Sequence, residues 1–272
     1  MKKGKGSSLI SVLFVTLISL SPRLKRSLWK KWYNLLASRD GQKLLVSMNY
    51  GYVDDELMVS PTSNIQPQLR LYEHVIESVP IAGRKVVEIG SGRGAGAAYI
   101  AEKHKPEMYV GVDLACNASM NSESHSDSKS LFFVSGDALS IPLKPGSVDV
   151  VVNIESSHCY ADLELFIQQV SLSLVDDGYF CYCDLMPFAR VDELKQYLIK
   201  NGLVIEECNN ITANVMRALD HDSQGHEDDI IKHVPWYLRK AFSDFAGVKD
   251  TGVYNLFRSG KFVYYSFLAK KS

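Results

Sequence analysis

Between residues 86 and 97 the chain reads VVEIGSGRGAGA, with glycines at 90, 92, 94 and 96 behind a carboxylate, Glu88. A strand running into such a loop brings bare backbone close to a ligand, and the helix that opens behind it aims N–H groups at the same place. Gly90, Gly92 and Ala95 satisfy the loose G-x-G-x-x-G/A pattern, with Ser91 between the first two glycines. A second apolar run, MYVGVDL, brings Asp113 and Leu114 to its end. An acid there accepts both hydroxyls of a ribose. A third run, LFFVSGDA, delivers Gly136, Asp137 and Ala138, an acid and small residues that suit an adenine ring. The carboxylate would meet the exocyclic amine and a backbone N–H a ring nitrogen. A fourth, VDVVVNIESSHCY, carries Asn153 and Glu155 at its end, then His158 and Tyr160. The chemistry these types suggest is capture of an adenosine-containing ligand beside a histidine able to move a proton near neutral pH.

Two cofactors suit this order. One is NAD(P), which the glycine pattern permits. The other is S-adenosylmethionine (SAM). NAD sites often hold small or apolar residues where Glu88 stands, leaving room for pyrophosphate. SAM carries no phosphate, and its amino-acid end has an ammonium that a carboxylate or its bound water can meet. Glu88 as a satisfied strand-end acid is the bland alternative. The G-D-A after the third strand is familiar from methyltransferases, and no Tyr-x-x-x-Lys pair for hydride transfer follows the fourth strand. SAM is the expected cofactor, with S-adenosylhomocysteine (SAH) as its product; an NAD(P)-dependent oxidoreductase stays as an alternative. No carboxylate cluster has the spacing for a divalent metal, and Asp176-Asp177-Gly178 reads as a turn.

The elements that must position these residues alternate. RKVVEIG, MYVGVDL, LFFVSGDA, VDVVVNIE, YFCYCDLMP and LVIEEC read as strands, and KFVYYSFLAK closes the chain as the last. Short, nearly continuous apolar runs of this kind belong to parallel strands covered on both faces. Helical patterns separate them: QPQLRLYEHVIESV, GAAYIAEKH, ADLELFIQQVSLSL and RVDELKQYLIKNG. The expected fold is α/β and Rossmann-like, a mostly parallel seven-stranded sheet with helices on both faces. About 50 residues of helical pattern, 210–260, precede the last strand, and an insertion there would cap the carboxyl ends of the strands, where open α/β sheets bind ligands. In it Ile211, Val215, Met216 and Leu219 form an apolar stripe, which packs in the core or lines a pocket for an apolar substrate.

Charge divides unevenly. Residues 1–39 hold nine Lys or Arg and no acid, so the other 233 hold 21 basic and 31 acidic side chains (30 − 9 = 21). The overall net charge of −1 carries no nucleic-acid footprint. Leu9–Leu20 is apolar apart from Ser11, Thr16 and Ser19, and as a helix would span about 18 Å against a hydrocarbon core of roughly 30 Å. It reads as an interfacial anchor, a helix packed on the domain, or a signal sequence, and residues 1–36 offer a peripheral membrane contact. Five cysteines without C-x-x-C spacing read as reduced thiols of a cytoplasmic protein. The domains expected are a basic, hydrophobic arm at 1–28, an N-terminal helical cap at 29–80, and a ligand-binding domain at 81–272 that carries the insertion.

The pieces WKKWYNLL, NYGY, LYEHV, VVEIGSGRGAGAAYI, GVDL, GDA, VVNIESSHCY, DLMP, ITANVMRALDHDS and FRSGKFVYYSF run in order from Trp29 to Phe267. In them the chain resembles class I SAM-dependent methyltransferases, and more narrowly the bacterial phthiotriolone/phenolphthiotriolone dimycocerosate O-methyltransferases and related fatty-acid and polyketide enzymes. The glycine loop is generic to the superfamily; NIESSHCY and ITANVMRAL are more specific. The resemblance leaves residues 1–28 uncovered. It implies methyl transfer to a hydroxyl or carboxyl of a hydrophobic small molecule, with nitrogen and carbon acceptors open. It also implies that the aromatic segment with Tyr50 and Tyr52 folds over the cofactor. An aliphatic hydroxyl is a poor nucleophile until it loses its proton, and a positioned base adds about 10²–10⁴ in rate. His158 is the candidate base, Glu155 and Tyr160 its candidate neighbours at the acceptor, and His233 in the insertion a second histidine there. Alternatively His158 orients Glu155 or caps a helix, and Tyr160 simply packs.

Overall fold

A computed structural model describes residues 49–54, 65–114, 128–234, 236 and 239–272. The expected arm, most of the expected N-terminal cap and the Ser-rich stretch after Leu114 lie outside the described residues.

Helix α1 (Pro67–Ile76) starts on a proline, whose missing N–H costs nothing in a first turn, and buries Leu71, Tyr72, Val75 and Ile76. Strand β1 (Lys85–Ile89) follows, and its loop turns through Gly90, Gly92 and Gly94, all at positive φ, into helix α2 (Ala95–His104). Next come β2 (Met108–Asp113), β3 (Leu131–Ser135) and β4 (Val148–Ile154). A short 3₁₀ turn, Ser157–Cys159, leads to α3 (Leu163–Ser173), whose Asp162 cap accepts a hydrogen bond from Leu165 N at 2.9 Å. Strand β5 (Leu174–Pro187), α4 (Val191–Lys200) and β6 (Leu203–Asn210) follow. The insertion is α5 (Thr212–His233), α6 (Arg239–Phe245) and α7 (Gly252–Arg258), and β7 (Phe262–Lys271) closes the order.

The seven strands lie in the order β3-β2-β1-β4-β5-β7-β6. The pairs among β1 to β5 are parallel, while β7 runs antiparallel between β5 and β6. The mostly parallel seven-stranded sheet read from the sequence is the one observed. The DDG turn falls inside β5: the six residues Leu174 to Tyr179 stand against the three Val148 to Val150 on β4, and Asp177 takes φ 62° to make the excursion.

Alternation along the strands divides the core in two. Val86, Tyr109, Val150, Val152, Cys181, Cys183 and Tyr264 face α1, α2 and the buried side of α5 and α7. Val87, Ile89, Val110, Val151, Phe180, Tyr182 and Phe267 face α3 and α4. The carboxyl ends of β1, β2, β3, β4 and β5 bring the glycine loop, Asp113, Asp137, Glu155 and Asp184 to one edge of the sheet.

Candidate active site

Gly90 takes φ 79°, and a Cβ there would lie 2.3 Å from Ser156 Oγ and 2.8 Å from the Tyr160 hydroxyl. Only glycine fits. Beneath it Asn153 Nδ2 donates to Ile89 O at 2.8 Å, Ser156 Oγ at 2.7 Å and the Tyr160 hydroxyl at 3.1 Å, and Ser156 and Tyr160 are themselves 2.9 Å apart. Tyr160 packs edge-on against Phe166 with its phenol held well above the usual range by burial. The residues after β4 thus form the floor of the glycine loop, and Tyr160 belongs to that floor.

Asp113 Oδ2 accepts from Gly92 N at 2.9 Å, tying the end of β2 to the loop. Ser91 is buried with its hydroxyl beside Gly111, and Leu114 is partly exposed just past β2. Asp137 Oδ1 takes Leu139 N at 3.1 Å, and a bridge to Ser140 closes the Gly136-Asp137-Ala138 turn, with Ala138 buried. The groups fit an adenosine ligand. Three positive-φ glycines bare the loop backbone, carboxylates end two adjoining strands, and the buried Asn153 Oδ1 under the loop has no hydrogen-bond partner among the described residues.

Glu88 is wholly buried. The hydroxyls of Tyr72 and Tyr109 donate to its two oxygens at 2.7 and 3.0 Å. Burial raises its pKa to about 7, with the tyrosine hydrogen bonds pulling the other way. In this geometry it is a satisfied acid between α1 and β2.

Glu155, at φ 47°, accepts from Tyr50 N at 2.8 Å and from the Tyr264 hydroxyl at 2.7 Å. Burial pushes its pKa up to about 8 against those two donors. The Tyr50 hydroxyl donates to Phe245 O at 3.0 Å, so one residue joins the end of β4 to α6 of the insertion. Tyr52 is not brought to this network; it stacks on His74 at 4.3 Å.

His158 sits in the 3₁₀ turn with Nδ1 2.8 Å from Asp184 Oδ1 and its side chain 24% exposed. Burial opposes charge on the ring, but Cys159 and Asp184 outweigh it and hold the pKa well above the ordinary histidine value. Of the apolar stripe, Ile211, Val215 and Leu219 are core residues, and Met216 is partly buried against them. His233 ends α5, and its side chain lies outside the described residues. Among the described residues no group of three His, Cys, Asp or Glu side chains is arranged to hold a metal, and no helix is long and apolar enough to cross a membrane.

Asp184 was absent from the sequence candidates, although it is the one charge in the apolar end of YFCYCDLMP. Tyr72, Tyr109 and Tyr264 were missed as well. Each lies far along the chain from the acid it serves.

Comparison with known proteins bears on the family and the fold. Residues 87–182 match the model of a family described as "Methyltransferase domain". The phthiotriol/phenolphthiotriol dimycocerosates methyltransferase of Mycobacterium leprae is 31% identical over 89% of this chain and 92% of its own. A fatty-acid O-methyltransferase of Mycolicibacterium smegmatis is 30% identical over 72% of this chain and 73% of its own. The crystal structure of geranyl diphosphate C-methyltransferase from Streptomyces coelicolor, solved with SAH, has the same fold, with a TM-score of 0.65 at 16% identity over 91% of this chain and 98% of that one.

Proposed function

This chain belongs to the SAM-dependent methyltransferase family of the phthiotriol/phenolphthiotriol dimycocerosates methyltransferases, and from that premise we propose that it methylates a hydroxyl on a long apolar lipid or polyketide. The oxidoreductase alternative falls with the family. The observation that carries the choice of a hydroxyl is His158, a basic, partly exposed imidazole just past β4 with Asp184 at its back. A fatty-acid carboxylate is already ionised at neutral pH and needs no base.

SAM, when bound, supplies a methyl group on a sulfonium, an excellent leaving group. Gly90, Ser91 and Gly92 with Asp113 and Leu114 would hold its ribose and amino-acid end. Gly136, Asp137 and Ala138 would hold the adenine, and Tyr50 would close over the whole. What remains for the protein is alignment and exclusion of water, an effect worth about 7–11 kcal/mol in well-oriented reactions. His158 takes the acceptor's proton. Glu155 ties Tyr50 and Tyr264 together at the acceptor's side, and the partly buried Met216 offers an apolar surface to the chain of the lipid.

The test is methyl transfer from isotope-labelled SAM to a panel of long-chain alcohols, their methyl ethers and fatty acids. SAH-induced stabilisation, roughly 2.7 kcal/mol at 100 times its Kd, serves as the binding control. Alcohols are expected to be labelled and ethers not. His158→Ala should keep SAH affinity and lose about 10²-fold or more in turnover. Labelling of fatty acids alone refutes the hydroxyl, and unchanged turnover in His158→Ala refutes the base.

A further inference from the structure

A histidine can take a proton on either ring nitrogen, and here the fold selects one. Asp184 is wholly buried near the end of β5. Its Oδ2 accepts from His158 N at 2.8 Å and from Ser157 Oγ at 2.6 Å. Its Oδ1 accepts from Leu185 N at 2.8 Å and lies 2.8 Å from His158 Nδ1. One carboxylate therefore grips both the backbone and the ring of His158. Ser157, by donating to Asp184, leaves its own oxygen to accept from the Tyr182 hydroxyl at 2.8 Å, which braces the carboxylate from inside the sheet. A carboxylate has no hydrogen to give, so the ring nitrogen against it must carry one.

We propose that Asp184 is a positioning residue that holds His158 as the Nδ1–H tautomer, making Nε2 the atom that takes the acceptor's proton, with Ser157 and Tyr182 bracing the carboxylate. This rests on reading His158 as the base. In the step the acceptor's O–H bond breaks as its O–CH₃ bond forms. The O–H electron pair makes the new bond, the proton goes to Nε2, and the pair of the broken C–S bond stays on sulfur. The imidazolium so formed lies against Asp184 and, its side chain being 24% exposed, returns its proton to solvent. Cys159, whose side chain also hydrogen-bonds the ring and would yield to the acceptor, and Glu155 are ionisable groups facing it.

The tautomer is readable without any variant. In ¹⁵N-histidine-labelled enzyme, long-range ¹H–¹⁵N correlation, with the His158 signal identified by its loss in His158→Gln, should show the neutral ring protonated on Nδ1. Asp184→Asn keeps the volume but can donate to Nδ1. It should switch the ring to the Nε2–H form, lower its titration, and cut kcat by about 10²-fold or more, with acceptor KM and SAH affinity nearly unchanged. Cys159 and Glu155 remain in that variant, so a lowered titration reports Asp184. A wild-type ring protonated on Nε2 overturns the proposal even if Asp184→Asn fails to fold. An active Asp184→Asn beside an inactive His158→Ala overturns the positioning role alone, whereas an active His158→Ala sinks the base reading itself.

Discussion

Gly90→Ala tests the claim that the floor beyond β4 sets the shape of the glycine loop. Two costs are separable. The residue takes φ 79°, where an L side chain costs about 1–2 kcal/mol. The new methyl would also stand 2.3 Å from Ser156 Oγ, 2.5 Å from Ser156 Cβ and 2.8 Å from the Tyr160 hydroxyl, well inside contact distance. Overpacking of that kind adds typically 1–3 kcal/mol. The sum is about 2–5 kcal/mol, with a loss of SAH affinity because the loop must shift. Gly146 is the control: φ is 59° and nothing lies within 4 Å of its Cβ, so Gly146→Ala should cost only the backbone share, about 1–2 kcal/mol. Urea unfolding of both variants, with SAH titrated by calorimetry, gives the comparison. Adding Ser156→Gly removes the two nearest atoms and should return part of the Gly90→Ala loss. If Gly90→Ala costs no more than Gly146→Ala and binds SAH normally, Ser156 and Tyr160 do not support the loop, and the reasoning fails.

Glu88, with its pKa raised by burial from the ordinary 4.5 to about 7, binds its proton more tightly folded than unfolded. Stability linked to it is therefore present below about pH 4.5 and lost as pH rises toward 7, a loss of roughly 3 kcal/mol at most. Glu88→Gln should flatten that slope, and unfolding curves at pH 5, 6 and 7 should show wild type falling away from the variant; parallel curves would mean the acid is not strained. Glu155 titrates similarly up to about pH 8 in both proteins, so it cancels in the difference. Leu219→Ala, at a buried site in the core cluster that also holds Tyr254 and Phe257, should cost about 2–5 kcal/mol by chemical denaturation; a smaller loss with a raised acceptor KM would move Leu219 from the core to the substrate. Tyr264→Phe removes one of two donors to Glu155 and should cost about 1–2 kcal/mol by the same measurement, with no change expected if Glu155 finds water instead.

The fold was legible because its signals are local. KVVEI and VDVVVNI are β-branched runs of strand length, α1 opens on Pro67 and α4 stops at Gly202, and Gly90, Gly92 and Gly94 stand where the backbone takes positive φ. The antiparallel β7 between β5 and β6 was not legible. Its placement depends on which neighbour KFVYYSFLAK pairs with, and no residue within the strand records that.

The site divides along the same line. Gly90, Asp113 and Asp137 stand out along the chain because each lies at or just past the end of a strand. Asp184 and the tyrosines around Glu88 could not, because their meaning lies in a partner on another element. Tyr72 reaches Glu88 from α1, Tyr109 from β2, and Asp184 crosses from β5 to the turn after β4. The difference changes what the residues mean. Read along the chain, Glu88 is an acid looking for an ammonium. In the fold it already accepts from two hydroxyls, and any ligand charge it meets competes with them. Read along the chain, His158 is a histidine near neutral pH. Held by Asp184 it is a stronger base than a free imidazole and charged over more of the pH range, so the enzyme should quicken as pH rises until the ring is neutral. A kcat profile already flat across neutrality would show that loss of the His158 proton does not limit the rate.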